Sequence, residues 1–228
     1  MIYTFWEGEM PEYIKLCMET WKFDYTVLNY GNLKQHTDFD IEGARRFTLP
    51  QIADCVRVHV LRDNGGYWLD TDTICVTGKL PEENMVGNPE TRTNSIGFLH
   101  TVKHSEMYER WADYQDVIIA RPDTPKNWDV MGNAFTDKYI RQNRGITVHP
   151  IDRFLPETYM IESTIPRNKK YGAFYFDCNY HLSDILKTDM LMLHNSWTPG
   201  WYKELTKGEV LARKCTLSNI LNETLCVM

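Results

Sequence analysis

Ile52-Ala53-Asp54-Cys55-Val56-Arg57-Val58-His59-Val60-Leu61-Arg62-Asp63-Asn64-Gly65-Gly66-Tyr67-Trp68-Leu69-Asp70-Thr71-Asp72 is the stretch on which the fold turns. Just upstream, Thr48 can cap a helix and Pro50 sits in its first turn, so a helix is predicted over Thr48 to Asn64. Gly65-Gly66 ends it, because glycine enters left-handed backbone without a Cβ penalty. Tyr67 to Leu69 then reads as a short strand, and Thr73 to Val76 as a second extended run. Asp70 and Asp72 stand between them. In extended chain, residues i and i+2 face one side, about 7 Å apart. Two such carboxylates suit a hard divalent cation and a ligand hydroxyl. The C-terminal ends of strands are also where open α/β sheets collect ligands. Asp-Thr-Asp equally makes good solvated turn chemistry.

Asp54 and Arg57 lie three apart on the predicted helix and so share a face. They read either as a surface ion pair of little energetic weight or as a polar pair at a ligand, with the guanidinium facing phosphate or sugar.

Outward from this segment, helical and extended patterns alternate. Ile2 to Phe5 reads as a buried strand. Pro11 opens a helix to about Lys22, with Ile14, Met18 and Trp21 at helical spacing, and Tyr25 to Leu28 is a second strand. This βαβ-like order predicts parallel pairing. Downstream, Ser95 to Leu99, Ile146 to His149 and Met190 to Leu193 are predicted strands. Ser105 to Ile119, Asn133 to Arg141 and about Leu205 to Leu225 are predicted helices, the last weakened at Lys207-Gly208. The stretch 150–188, rich in Pro, Tyr and Phe, follows no single period. With no repeat, linker composition or block of like charge, the expectation is one α/β domain over residues 1–228, its mixed, mostly parallel central sheet flanked by helices.

Composition agrees. A chain of 228 residues can bury a full core. Hydrophobic residues at 43% and charged residues at 25% exclude disordered and low-complexity classes. The net charge of −6 argues against nucleic acid or anionic membrane as a partner. The six cysteines form no CxxC pair and no zinc-finger spacing. The opening residues lack a basic, then apolar, leader pattern, and no run of 18 apolar residues occurs. The expected setting is therefore a reducing cytoplasm, with a soluble chain lacking signal peptide and membrane span.

Asp54, Arg57, Leu61, Gly65, Gly66, Tyr67, Asp70 and Asp72 together resemble the motif of DXD-containing GT-A glycosyltransferases of the capsular-polysaccharide-synthesis and Och1-like sugar-transferase group, with the tyrosine one place early. Two further pieces resemble that group in the expected order. Ile2 to Phe5 leads into Trp6-Glu7-Gly8, similar to its opening strand and turn. His194-Asn195-Ser196-Trp197 is similar to its late His-x-x-Ser-Trp element, shortened by one residue. A departure lies between them: the group's Thr-Gly-Pro element has only Met131-Gly132-Asn133 as a counterpart, which puts the donor-sugar pocket in question.

The resemblance implies a GT-A fold and a small soluble transferase moving a sugar from a nucleotide-diphosphate sugar, a UDP-sugar by preference, to a glycan or glycoprotein acceptor. By that resemblance Asp72 would ligate Mn2+ (or Mg2+), Asp70 would reach the ribose or the metal through water, and His194 would be a third ligand. Asp70, Asp72 and Arg57 would form the catalytic set. Tyr3, Thr4, Phe5 and Trp6 would read the base through a strand edge and rings, Asp54 and Arg57 would face sugar or phosphates, and Ser196 and Trp197 would complete the donor site. Residues 1–100 would be the nucleotide-sugar half and 101–228 the acceptor half, with the aromatic stretch 154–180 either lining the acceptor side or packing a subdomain. Lys203 would face a phosphate or solvent. The group is retaining. An inverting course would need a base, and Asp129, His149, Asp152, Glu157 and Asp177 are all candidates that the sequence does not separate.

Two rival readings share these residues. Leu69-Asp70-Thr71-Asp72-Thr73 also matches the nucleophile loop of haloacid-dehalogenase-like phosphatases, with Asp70 as phosphoryl acceptor, although about seventy residues precede it and the downstream Gly-Asp-x-x-x-Asp element is missing. A non-catalytic carbohydrate-binding protein would use the many aromatics without the paired carboxylates.

Overall fold

The computed structural model describes residues 1–88, 93–121, 123, 127–142, 146–150, 166–184 and 189–226. Among them, in chain order, run β1 (Ile2–Phe5), α1 (Glu12–Glu19), β2 (Tyr25–Leu28), α2 (Ile41–Ala44), α3 (Leu49–Asn64), β3 (Gly66–Leu69), β4 (Thr73–Cys75), β5 (Met85–Asn88), β6 (Thr93–Thr101) and α4 (Glu106–Ala120). There follow α5 (Asn133–Gln142), β7 (Val148–Pro150), α6 (Arg167–Gly172), β8 (Met190–Met192), α7 (Gly200–Lys203), α8 (Lys207–Ala212) and α9 (Thr216–Cys226). The chain divides into two compact units, each built from three separate segments. The first comprises Met1–Glu7, Phe23–Asp70 and Glu82–Pro150, and the second Gly8–Lys22, Thr71–Pro81 and Ile151–Met228.

The first unit holds a six-stranded sheet in the order β2-β1-β3-β6-β5-β7. β1 pairs in parallel with β2 and β3, and β5 with β7, while β6 runs antiparallel to both β3 and β5. The expected mixed, mostly parallel sheet with flanking helices is therefore present. β1 lies between β2 and β3: all of Ile2 to Phe5 pairs with β2, whereas only Ile2 and Tyr3 pair with β3. The Trp6 amide donates to the Leu28 carbonyl at 3.0 Å, and Tyr3 and Phe5 are buried in the core. Val56, Val58, Val60 and Leu61 of α3 pack in that core with Trp68, Leu99 and Trp111, all essentially without exposure.

Local chemistry sets α3 and its exit. The Thr48 amide and hydroxyl both donate to Gln51 Oε1, at 3.1 and 2.9 Å, closing a capping box. Gly65 and Gly66 take φ of 68° and 93°. A Cβ on Gly65 would lie 2.6 Å from the Lys103 amide nitrogen, and one on Gly66 2.6 Å from the Met1 carbonyl oxygen. The pair is required both for its left-handed backbone and for close passage between neighbouring chains. β3 thereby enters the sheet between β1 and β6.

In the second unit β4 and β8 form an antiparallel ribbon, with Thr73 opposite Met192. α1 buries Tyr13, Ile14, Leu16, Cys17 and Met18. It ends at Glu19, short of the expected Lys22, because Thr20 turns out of the helix and its hydroxyl accepts from the Cys75 amide at 2.9 Å. Trp21 then donates its indole N–H to the Thr73 carbonyl at 2.8 Å. The predicted C-terminal helix over about Leu205 to Leu225 is two helices, α8 and α9, and the short α7 precedes it. The break before α8 is a new start, capped reciprocally by Thr206 and Glu209. Within 150–188, residues 151–165 and 185–188 lie outside the described residues. The described part forms α6 and a π-helical turn, Ala173–Asp177, that buries Phe174, Tyr175 and Phe176. α2 and β5 had no clear sequence signal.

Candidate active site

Asp70 follows β3 directly and closes a segment of the first unit. Thr71 and Asp72 form a turn that opens a segment of the second. The two carboxylates are therefore not successive same-face residues of one strand, and the extended-chain expectation gives way to a turn. Each is anchored within its own unit.

In the first unit Arg57 is the centre. Its Nη2 lies 3.0 Å from Asp54 Oδ1 and 3.3 Å from Asp70 Oδ1, and its Nη1 donates to the Ile96 carbonyl. The guanidinium carbon sits 5.0 Å from the centre of the Trp68 ring. The same tryptophan donates its indole N–H to Asp70 Oδ1 at 2.9 Å, and the Asp70 amide donates to the Gly97 carbonyl at 2.8 Å. Arg57 and Asp54 are buried, whereas the Asp70 side chain is 36% exposed. This is a buried cation with one buried and one accessible carboxylate, so the surface-ion-pair reading of Asp54 and Arg57 is replaced. Burial pushes the Asp54 carboxyl up to about 7, aided by the charge of Asp70. The Arg57 contact acts the other way, but loss of water outweighs it. Behind Asp54, the Gln115 amide donates to the Asp54 carbonyl at 3.0 Å and to the Met131 carbonyl at 2.6 Å. A Cβ on Gly132 would meet Asp54 Oδ2 at 3.1 Å and collide with the Ile96 side chain.

In the second unit Asp72 precedes β4, and its carbonyl accepts from the Leu193 amide at 2.9 Å, extending the ribbon by one rung. Asp72 Oδ2 accepts from the Asn195 amide at 2.7 Å. His194 thus lies across the ribbon end from Asp72. Its ring packs 4.1 Å from that of Trp197, tilted by 40°, and edge-on to Tyr171 at 5.9 Å. The Tyr13 hydroxyl donates to Asn195 Oδ1 at 2.5 Å. Burial first, with the Asp72 carboxylate contributing, holds the Tyr13 and Tyr171 phenols far above their ordinary range, so both remain protonated donors. Ser196 is exposed and Trp197 half-buried on the short turn Asn195–Trp197.

The other expected residues fall elsewhere. Tyr3, Thr4 and Phe5 are buried in β1 and Trp6 is half-buried after it. Lys203 ends α7, Asp177 is exposed at the end of the π-helical turn, and Asp129 is half-buried before α5. Asp152 and Glu157 lie outside the described residues, as does the side chain of His149. Among the described residues, no three His, Cys, Asp or Glu side chains gather into a group that could hold a metal ion. The sequence reading gave no role to Trp68 or Gln115, and quoted Gly132 and Asn195 only within the segments Met131-Gly132-Asn133 and His194-Asn195-Ser196-Trp197. Trp68 carried a signal, since it stands two residues before Asp70 and so shares its strand face.

Asp70 thus stands partly open at the carboxyl end of a strand, where α/β sheets collect ligands. The family model of capsular polysaccharide synthesis proteins matches residues 1–182, and the chain belongs to that family. It is thus a glycosyltransferase of polysaccharide biosynthesis, and requires a sugar donor and an acceptor. Among solved structures, a chain described as PaToxG glycosyltransferase is similar at 16% identity, over 62% of this chain and 68% of that one, with a TM-score of 0.45. No curated protein matches the chain. No helix among the described residues is long and apolar enough to cross a membrane.

Proposed function

We propose that this chain is a metal-dependent, retaining transferase of GT-A type, working in the cytoplasm. It would take a UDP-sugar as donor and a glycan or glycoprotein as acceptor. The observation that carries the reading is the Asp70 carboxylate, partly open at the C-terminal end of β3 and fixed by Arg57 and Trp68. Membership of the capsular polysaccharide family supports transfer over the phosphatase alternative. So does the site of Asp70, after the third strand of the chain and not the first.

Asp70 and Asp72 offer hard oxygen donors, and they stand one residue apart. Carboxylate oxygens suit a hard divalent cation that shares its ligands with phosphates. His194, beside Asp72, is the candidate nitrogen ligand. Mn2+ or Mg2+, when bound in this place, would supply Lewis-acid stabilisation of the leaving diphosphate. The chain's own residues do the rest. Arg57 holds Asp70 in one rotamer and adds positive charge near a dianionic leaving group. The Asn195 amide orients Asp72. The Tyr13 hydroxyl orients Asn195 in turn. A retaining course asks for no carboxylate base, only for the acceptor hydroxyl on the face of the departing diphosphate.

Calorimetric titration of UDP tests this, first with Mn2+, then with EDTA, with GDP as control. Mn2+-dependent UDP binding is the expected result. Absence of binding by either nucleotide under any metal overturns it and turns attention to phosphomonoester hydrolysis.

A further inference from the structure

Trp128 is 77% exposed, more than any other large apolar side chain among the described residues. A single exposed apolar side chain is ordinary on a protein surface, but an indole is large and flat enough to offer a face to one ring. The chain around it is held firmly. The Gln51 amide donates to the Asn127 carbonyl at 2.9 Å, tying the loop to the first turn of α3. The Val130 amide returns to Asn127 at 3.1 Å, and the Gly132 and Ala134 amides donate to the Asp129 carbonyl at 3.0 and 3.2 Å. The loop then runs into Gly132, whose backbone packs against the Asp54 carboxylate. Four residues of chain span at most about 14 Å, so the ring stands within a short oligosaccharide of the Asp54–Arg57–Asp70 cluster.

From this we infer that Trp128 is a sugar-stacking platform, an acceptor-side subsite for a pyranose ring of a neutral glycan. The inference rests on the transferase reading. The size of the surface selects the occupant. One tryptophan buries about 150–250 Å², whereas a stable protein partner needs about 800 Å² on each side. Leu49, in the first turn of α3, is the other exposed large apolar side chain among the described residues of these two segments. The exposed Asn127 and half-buried Asp129 flank the ring and offer polar partners for hydroxyls. An apolar face bordered by an amide and a carboxylate matches a pyranose, with its apolar C–H face and polar rim.

The full chain labelled with 5-fluorotryptophan gives seven 19F resonances, and Trp128→Phe assigns the one in question. Titration would use hexasaccharides of glucose, mannose, galactose and N-acetylglucosamine. A saturable shift of the Trp128 signal with at least one of them is expected. In Trp128→Ala, that sugar should bind about tenfold more weakly or worse by calorimetry, while Mn2+-dependent UDP affinity stays unchanged. A signal unmoved by the whole panel overturns the proposal. A shift that follows protein concentration without sugar also overturns it, by assigning the ring to a second copy. UDP binding missing from the unmutated protein fails the transferase reading separately, because the sugar response at Trp128 is read without nucleotide.

Discussion

Arg57 Nη2 lies 3.3 Å from Asp70 Oδ1, joining the middle of α3 to the residue that follows β3. The guanidinium serves Asp54, Asp70 and the Ile96 carbonyl together, a division that a lysine ammonium cannot reproduce from the same position. Arg57→Lys should fold, because the charge and most of the stem remain. Transfer or donor hydrolysis should fall by at least tenfold. A variant as active as the parent would remove Arg57 from the site.

Asp72→Asn keeps an oxygen that can accept from the Asn195 amide, so the ribbon end should stay in place. The carboxylate charge is lost. Mn2+-dependent UDP affinity should drop by more than the roughly 10–100-fold typical of an outer-shell change at a metal site. The thermal midpoint should stay close to that of the parent. Calorimetry and a melting curve on the same sample separate the two effects.

Gly132→Ala places a methyl group against both the Ile96 side chain and Asp54 Oδ2. Overpacking of this kind costs about 1–3 kcal/mol. The midpoint of urea unfolding should fall accordingly. Activity should fall further than stability alone explains, because Asp54 is displaced from Arg57. A neutral result in both measurements would mean that the helix start at Asn133 yields freely.

Asp54 and His59, on the same helix, should leave opposite marks on stability against pH. Burial holds the Asp54 carboxyl at about 7, whereas the unfolded chain ionises near 4. Between those values the folded state binds more protons, so its contribution falls as pH rises. His59 is held down to about 3, chiefly by burial and then by Arg62, despite the Asp116 carboxylate 3.5 Å away. From about 3 to about 6.5 the unfolded chain binds more protons, and stability rises with pH. Asp54→Asn should therefore steepen the rise in urea midpoint between roughly pH 4 and 6.5, and abolish the fall that Asp54 imposes up to about pH 7. An unaltered profile would show that Asp54 is ionised throughout.

Much of this architecture is legible in the chain because its causes are local. Thr48, Pro50 and Gly65-Gly66 bound α3 through capping and φ, each acting within a few residues. The order of Asp54, Arg57, the glycines and the two aspartates resembles the family to which the chain belongs. What depends on partners distant in sequence had no local signal. Whether Arg57 is a solvated surface group or a buried hub is decided by Ile96 and Trp68, and the place of β1 in the sheet by its pairing with β2 and, at Ile2 and Tyr3, with β3. The Asp72 carboxylate is oriented by an amide 123 residues away. Short-range capping and backbone sterics, then, were determined by the sequence alone. The burial that sets the Asp54 proton, and the hydrogen bonds that aim both aspartates, exist only once remote segments have packed, because desolvation and directional bonding are properties of the assembled neighbourhood and not of the local chain.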